Sequence, residues 1–262
     1  MKEQMEAHKV VSGEEWLAAQ LAHLAEEKAF TRARDALVKK RQTLPWVKVD
    51  KTYTFDTPAG KKTLAELFAG RSQLIVYHFM LGPDWEQGCP GCSFLSDHID
   101  GTLVHLAHRD VTYVAVSRAP LEKIEAFKQR MGWQFPWVSS FGSDFNYDYH
   151  VSFTPDEQAA GKVFYNYETQ DYAADELHGM SVFYKDGKGE VFHTFSAFGR
   201  GNEPMINTYA LLDYVPKGRD EDERRMMGWL GHHDRYEDGV TGTSLAEGGQ
   251  AAGACCHAAA HK

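Results

Sequence analysis

The stretch from Leu74 to Leu106 constrains this chain most. A short run, Leu74-Ile75-Val76-Tyr77-His78-Phe79-Met80, leads through Gly82-Pro83-Asp84-Trp85 to Cys89-Pro90-Gly91-Cys92, after which Leu95, Ile99, Leu103 and Leu106 recur. β-branched and aromatic residues in so short a run predict a buried strand, and recurrence at four, four and three predicts one helix face. The cysteine pair therefore falls at a strand-to-helix junction. At about 100° per residue, Cys92 lies on the Leu95/Ile99/Leu103 face and Cys89 about 60° away, which predicts one inward and one accessible thiol. Pro90 suits the first helical position, where no amide hydrogen is needed, and this makes Cys89 the N-cap. A thiolate there meets unpaired amide hydrogens and the positive end of the helix dipole, which lowers its pKa from about 8.5. Cys89 is the expected nucleophile and Cys92 the resolving thiol. A structural zinc half-site and two idle thiols are the competing readings.

With 262 residues the chain is long enough to bury a substantial core without staples, so its four cysteines are not a disulfide scaffold. A net charge of -9 and no cluster of Lys and Arg exclude a nucleic-acid surface. The first residues lack the apolar core of a signal peptide, and no apolar run reaches about 18 residues, so no membrane partner is expected. These features predict a soluble cytoplasmic protein, where a cysteine pair stays reduced unless it is used.

In chain order, Ser12 with Glu15 resembles a capping box and opens a long helix over residues 12 to 42. Its stripe is Trp16, Leu17, Leu21, Leu24 and Ala25, suited to packing on the same domain or to a homodimer contact. Val47 to Phe55 reads as one strand with a turn at Thr57-Pro58-Ala59-Gly60, followed by a short helix through Leu64, Leu67 and Phe68. After the cysteine helix come a buried strand, Val111 to Val116, and a helix opened by Pro120 and stopped by Gly132. This β-α-β-α order implies parallel strands with right-handed crossovers. The aromatic region from Trp133 to Phe153 reads as a core-forming loop or as the wall of a pocket for a flat ligand. Residues 154 to 178 read as a surface insertion. Ser181 to Lys185 and Glu190 to Phe195 predict a hairpin around Asp186-Gly187, and residues 203 to 214 a last helix against the sheet. The expected divisions are a helical extension (1–43), a main domain (44–216), an arm (217–238) and a Gly/Ala-rich tail (239–262).

This order, with Cys-x-x-Cys at the start of the first crossover helix, resembles a thioredoxin fold: an α/β domain with a central mixed sheet flanked by helices. The segment Tyr53 to Phe68 is similar to the opening of the peroxiredoxin-like branch, as are Phe135-Pro136 and Ser143-Asp144. The runs Tyr77-His-Phe-Met-Leu-Gly-Pro-Asp-Trp85, Cys89-Pro-Gly-Cys-Ser-Phe-Leu95, Val114-Ala-Val-Ser-Arg-Ala-Pro120 and His232-His-Asp-Arg-Tyr236 resemble a bacterial thioredoxin-like family catalogued only as domain of unknown function 899. The resemblance implies dithiol chemistry with no cofactor, acting on a disulfide or thiol of a protein or small molecule. Pro90, Gly91, Trp85, His178, Gly179 and Met180 are then the expected neighbours of Cys89 and Cys92. Thioredoxins carry a proline where this chain has His178-Gly179-Met180. Peroxiredoxins carry a threonine three residues before their reactive cysteine, where this chain has Glu86, although Arg118 or Arg200 could supply a cation for a thiol peroxidase.

Metal chemistry gives the alternatives. His105 and His108 lie about 20 Å along a continuous helix from Cys92 and cannot share its metal, and His98 joins them on a solvated face. His178 stands where thioredoxin-like copper chaperones carry a histidine, so Cys89, Cys92 and His178 could hold Cu(I). The bland reading of His178 is a loop histidine; a middle one makes it a cation near Cys89. His232-His233-Asp234 reads as a structural arm over the site, and Cys255-Cys256-His257 with His261 as part of an unstructured tail.

Overall fold

The computed structural model describes residues 8–221 and 226–237. Helix α1 (Gly13–Arg41) opens with the expected capping box, Ser12 Oγ accepting from Glu15 N at 3.2 Å and Ser12 N donating to Glu15 Oε2 at 3.1 Å. None of its residues is buried, so the stripe does not pack on this chain's own domain: Trp16 is 57% and Leu17 52% exposed. Its C-terminal Arg41 rests on the Phe195 ring, 4.6 Å away.

The single strand expected from Val47 to Phe55 is two. β1 (Val47–Lys48) and β2 (Thr54–Thr57) lie at opposite ends of the sheet, and β3 (Gly60–Thr63) folds back on β2 through Pro58-Ala59. A second capping box, Thr63 with Glu66, opens α2 (Leu64–Leu67). β4 (Gln73–His78), α3 (Pro90–Ser96), α4 (Leu103–His108), β5 (Val111–Ser117), α5 (Leu121–Arg130) and β6 (Trp137–Ser139) follow, the three strands being parallel. Then come α6 (Phe145–Asp148), α7 (Pro155–Ala160), the hairpin β7 (Val163–Tyr165) and β8 (Glu168–Gln170), the predicted hairpin β9 (Gly179–Lys185) and β10 (Val191–Phe198), and α8 (Asn207–Leu212). The main sheet has eight strands in the order β1-β10-β9-β4-β5-β6-β2-β3, with β9 antiparallel to β4. A βαβ unit joined to an antiparallel hairpin in this order is a thioredoxin-like fold. No helix among the described residues is long and apolar enough to cross a membrane.

The period-2 pleat splits the core between the two faces of the sheet. Leu74 and Val76 of β4 with Val114 and Val116 of β5 pack with Leu64, Leu67 and Phe145. Tyr77, Phe79, Tyr113 and Ala115 face the other way and pack with the cysteines, Phe94, Leu95 and Phe127. On the first face His78 is buried, and burial with His193 nearby lowers its pKa to about 3. A relay of 2.8–2.9 Å contacts runs from its Nε2 through Ser181 Oγ and Ser196 Oγ to His193 Nε2.

Five further expectations are corrected. The cysteine helix does not continue to Leu106, because the carboxylates after it bond elsewhere. Asp97 accepts from Trp133 Nε1 at 2.8 Å and His233 Nδ1 at 2.7 Å, and Asp100 accepts the amides of Gln134 and Phe135 at 2.8 Å each. His98 leaves the solvated face and joins α8, its Nε2 lying 2.7 Å from Thr208 Oγ1. The aromatic region is core, with Trp133, Phe135, Trp137, Phe145 and Phe153 buried, but it contains β6 and α6 and is not merely a loop. Residues 154 to 178 are not a simple surface insertion. Val163, Tyr165 and Leu177 form a third cluster with Val151, Phe153 and Phe198, and the buried Glu176 pairs with Arg118 at 2.5 Å. The last helix begins as a 3-10 turn, Gly199–Met205, and α8 rests on α3 through Phe94 and Tyr209, 5.3 Å between rings.

Asp100 holds the break in the cysteine helix against the strand-β6 approach. Asp100→Ala removes the acceptor of two amides and is expected to lower unfolding free energy by about 1–3 kcal/mol. Urea unfolding reads this as a lower midpoint at an unchanged slope.

Candidate active site

The cysteine loop is pinned before the chemistry begins. Cys89 N donates to Met80 O at 3.1 Å, closing residues 81 to 88 into an excursion from the end of β4. At Gly88 the backbone passes between two rings: a Cβ there would stand 2.6 Å from Phe79 Cε1 and 2.8 Å from Phe127 Cε1, so only glycine fits. His232 Nε2 reaches Gly88 O at 2.8 Å from the far end of the chain. Pro90 occupies the first position of α3, Cys89 is the N-cap, and Ser93 N and Oγ each donate to Cys89 O at 2.9 Å.

Both thiols are covered, which corrects the expectation that one is accessible: Cys89 and Cys92 are each 2% exposed. The loop after β10 and the segment from Met226 close over them. Burial pushes the Cys92 thiol well up, and the hydrogen bond and charge of Cys89 push it further. Tyr77 Oη and the Met80 amide, both bonded to Cys92, pull it down. Tyr77 is itself raised by burial and then by the charge of Cys92, with that of Cys89 adding to it. The sulfurs and the Tyr77 hydroxyl thus form one interacting group.

Two histidines adjoin it. Burial lowers the pKa of His178, and the charge of Cys89 opposes this. The Asn202 side-chain amide lies against His178, 3.3 Å from its Nδ1. Burial also lowers the pKa of His232, with Arg130 acting in the same direction and Gly88 O and Cys89 opposing. Arg130 Nη2 lies 3.1 Å from His232 Nδ1, and a guanidinium only donates, so His232 is held neutral with its proton directed at Gly88 O.

A cleft of about 620 Å³, mouth included, opens onto the pair. Tyr77, Cys89, Gly91, Cys92 and His178 line it near the sulfurs, and Leu95, Ile206, Tyr209, Met226 and Met227 give it apolar walls. On its rim Arg200 pairs with Glu203 at 3.0 Å and Arg219 with Glu203 and with Asp213, the latter at 2.8 Å, while Glu221 accepts from Tyr209 Oη at 2.6 Å and Trp229 Nε1 at 2.7 Å. Of the expected neighbours, Gly91 and His178 line the cleft and Pro90 lies buried beside it. Trp85 turns aside to donate from Nε1 to Asp175 at 2.7 Å. Gly179 and Met180 sit in β9 opposite His78 and Tyr77, and the Phe198 ring lies against Gly179, 2.7 Å from where a Cβ would stand. Arg200 reaches the cleft rim, whereas Arg118 is committed to Glu176 and Tyr147. Among the described residues no group of three His, Cys, Asp or Glu side chains is arranged to hold a metal ion, the set Cys89, Cys92 and His178 included. Cys255, Cys256, His257 and His261 lie outside the described residues.

Sequence reasoning passed over Tyr77 and Asn202 and treated His232 as structural. The signal for Tyr77 was its place in β4, where the pleat sends it to the face carrying the cysteines.

The His232 contact gives a pH dependence. Its folded pKa is depressed, so its contribution to docking residues 226–237 is full above the unfolded value of about 6.5 and is lost as pH falls through the folded one. Asp234, held at about 2 by Arg130, stays ionised throughout this range. Amide exchange over residues 227–236, corrected for intrinsic rates, is expected to rise as pH drops toward 5. His232→Gln should flatten that rise, and a profile unchanged in the variant would refute the assignment.

The structures this chain is similar to are distant. A cysteine mutant of peroxiredoxin Q from Xanthomonas campestris is 14% identical, over 60% of this chain and 90% of that one, with a TM-score of 0.38. Peroxidoxin BcpB from Mycobacterium tuberculosis is 13% identical over 63% and 95%, with a TM-score of 0.37. The mitochondrial 2-cys peroxiredoxin from Plasmodium falciparum is 13% identical over 69% and 98%, also at 0.37. No curated protein matches the chain. The family model described as a bacterial protein of unknown function, DUF899, matches residues 5–236. The chain belongs to that DUF899 family.

Proposed function

We propose that the chain is a thiol-disulfide oxidoreductase whose working pair is Cys89 and Cys92. The observation that carries this reading is the single interacting group of the two sulfurs, the Tyr77 hydroxyl and the Met80 amide at the floor of the cleft. Cys89 thiolate attacks one sulfur of a disulfide RSSR; a Cys89–SR bond forms, the S–S bond breaks, and RS⁻ leaves and takes a proton. Cys92 then loses its proton and attacks Cys89 Sγ, releasing the second thiol and leaving a Cys89–Cys92 disulfide. The sum converts RSSR and two protein thiols into two RSH and one protein disulfide.

The charge coupling orders these steps. While Cys89 is anionic, its charge adds to burial in keeping Cys92 protonated. The mixed disulfide removes that charge, and the Tyr77 hydroxyl and Met80 amide are then free to stabilise a Cys92 thiolate. The walls near the sulfurs are apolar, which favours a substrate that presents an apolar group beside its disulfide.

Cys89→Ser is expected to abolish turnover of a small dialkyl disulfide, and Cys92→Ser to trap the mixed disulfide, which mass spectrometry of the intact protein detects. Turnover surviving the first change would sink the mechanism. Tyr77→Phe removes a bond that holds the Cys92 pKa down, so it should slow the resolving step while leaving formation of the mixed disulfide near its original rate. Stopped-flow kinetics with a chromogenic disulfide separates the two phases.

A further inference from the structure

A second cavity lies on the face of the sheet away from the cysteines, and a β-bulge builds its floor. His193 pairs with Phe183 and Phe195 with Val182, so Thr194 is one residue more than the partner strand supplies. The extra residue resets the alternation. His193, Ser196 and Phe198 stand opposite Phe183, Ser181 and Gly179 and so share one face, where a regular strand would part His193 from Ser196. Phe183 and Ser181 in turn stand opposite Leu74 and Val76 of β4, whereas the cysteines pack with Tyr77 on the other side. Two segments raise walls on this floor: Asp148, Tyr149 and His150 at the end of α6, and Phe164, Asn166 and Tyr167 at the β7–β8 turn. They enclose about 530 Å³, mouth included. His150, Asn166 and Tyr167 hold φ at 55°, 53° and 68°, in the left-handed region. Backbone held there by residues other than glycine clusters where side chains must be aimed.

The chemistry of the lining selects what fits. Tyr149, Phe164, Tyr167 and Phe198 bring four aromatic rings. Phe164 is 41% and Tyr167 66% exposed, and Tyr167 Oη donates to Ser196 O at 2.9 Å, which holds its ring over the floor. The lining has one carboxylate, Asp148, and among the described residues no Lys or Arg. Both bonds to Asp148, from Lys51 Nζ at 2.6 Å and Tyr53 Oη at 2.7 Å, end on Oδ2, so Oδ1 has no partner among the described residues. Lys51 is itself shared with Asp144 at 2.9 Å, so two carboxylates there meet one ammonium. Burial lowers the pKa of His193, so the floor adds no positive charge at neutral pH. Ring faces are electron-rich, and with a spare carboxylate beside them they attract a positive charge and repel an anion. We propose that this cavity binds a small organic cation, an alkylammonium group set against the aromatic rings with Asp148 as its counter-charge.

This site stands apart from the dithiol, so its test needs no turnover. Choline is the probe, with its uncharged analogue, in which carbon replaces the ammonium nitrogen, as the comparison of equal shape. Saturation-transfer NMR on the full chain, at mildly alkaline pH and constant ionic strength, is expected to show saturable choline binding in the millimolar range. The uncharged analogue should bind about tenfold more weakly, the worth of a cation against several ring faces. Phe164→Ala and Tyr167→Ala each remove one ring and should weaken choline about threefold, and Asp148→Asn should weaken it about fivefold. Phe164 and Tyr167 are exposed, so circular dichroism of these two variants should match the parent chain. Three results would each overturn the proposal: choline that does not saturate by about 100 mM, far above any useful affinity; an uncharged analogue that binds as tightly as choline, which would make the cavity a site for neutral ligands; or choline affinity that none of the three substitutions changes.

Discussion

The site depends on one close approach, the passage of the Gly88 backbone between the Phe79 and Phe127 rings. It fixes the position of the residue before Cys89 to within a van der Waals contact, and the Cys89 to Met80 bond fixes the residue itself. Phe79 lies against Trp137 and Trp133, with centroids 4.4 and 5.9 Å away, so the rings have a rigid backing. The aromatic density between Trp133 and Trp137 thereby acquires a purpose in the structure. It holds the wall against which the cysteine loop is set, and interiors packed this tightly transmit position with little loss.

Placing two sulfurs in such a setting has an electrostatic consequence. Burial opposes ionisation, so a thiolate survives only where donors are aimed at it. Here the donors are few and specific: the Tyr77 hydroxyl and the Met80 amide, both at Cys92. Burial lowers the pKa of both histidines, with Arg130 adding to the effect at His232. They supply polarity to the site without adding permanent charge.

Much of this was legible in the chain. The Leu74 to Met80 run, the Cys89 N-cap with Pro90 behind it, the capping box at Ser12 and the Asp186 hairpin each rest on local chemistry, which sequence records directly. What was not legible depends on partners distant in sequence. The cysteine helix stops because Asp97 and Asp100 are taken by residues 133 to 135 and by His233, and no local signal announces this. Cys89 is covered by segments more than a hundred residues away, so helical geometry alone made it accessible when it is not. The tail cysteines fall outside the described residues.

The cover over the sulfurs is drawn from residues 199 to 232, whereas the pair itself lies at 89 and 92. A chain made from its N-terminus at about 5–20 residues per second exposes its two cysteines, on a partly built sheet, for seconds before their shelter exists. The fold can take control of the pair only once residues 199 to 232 have been made, so the site matures well after its own cysteines are synthesised.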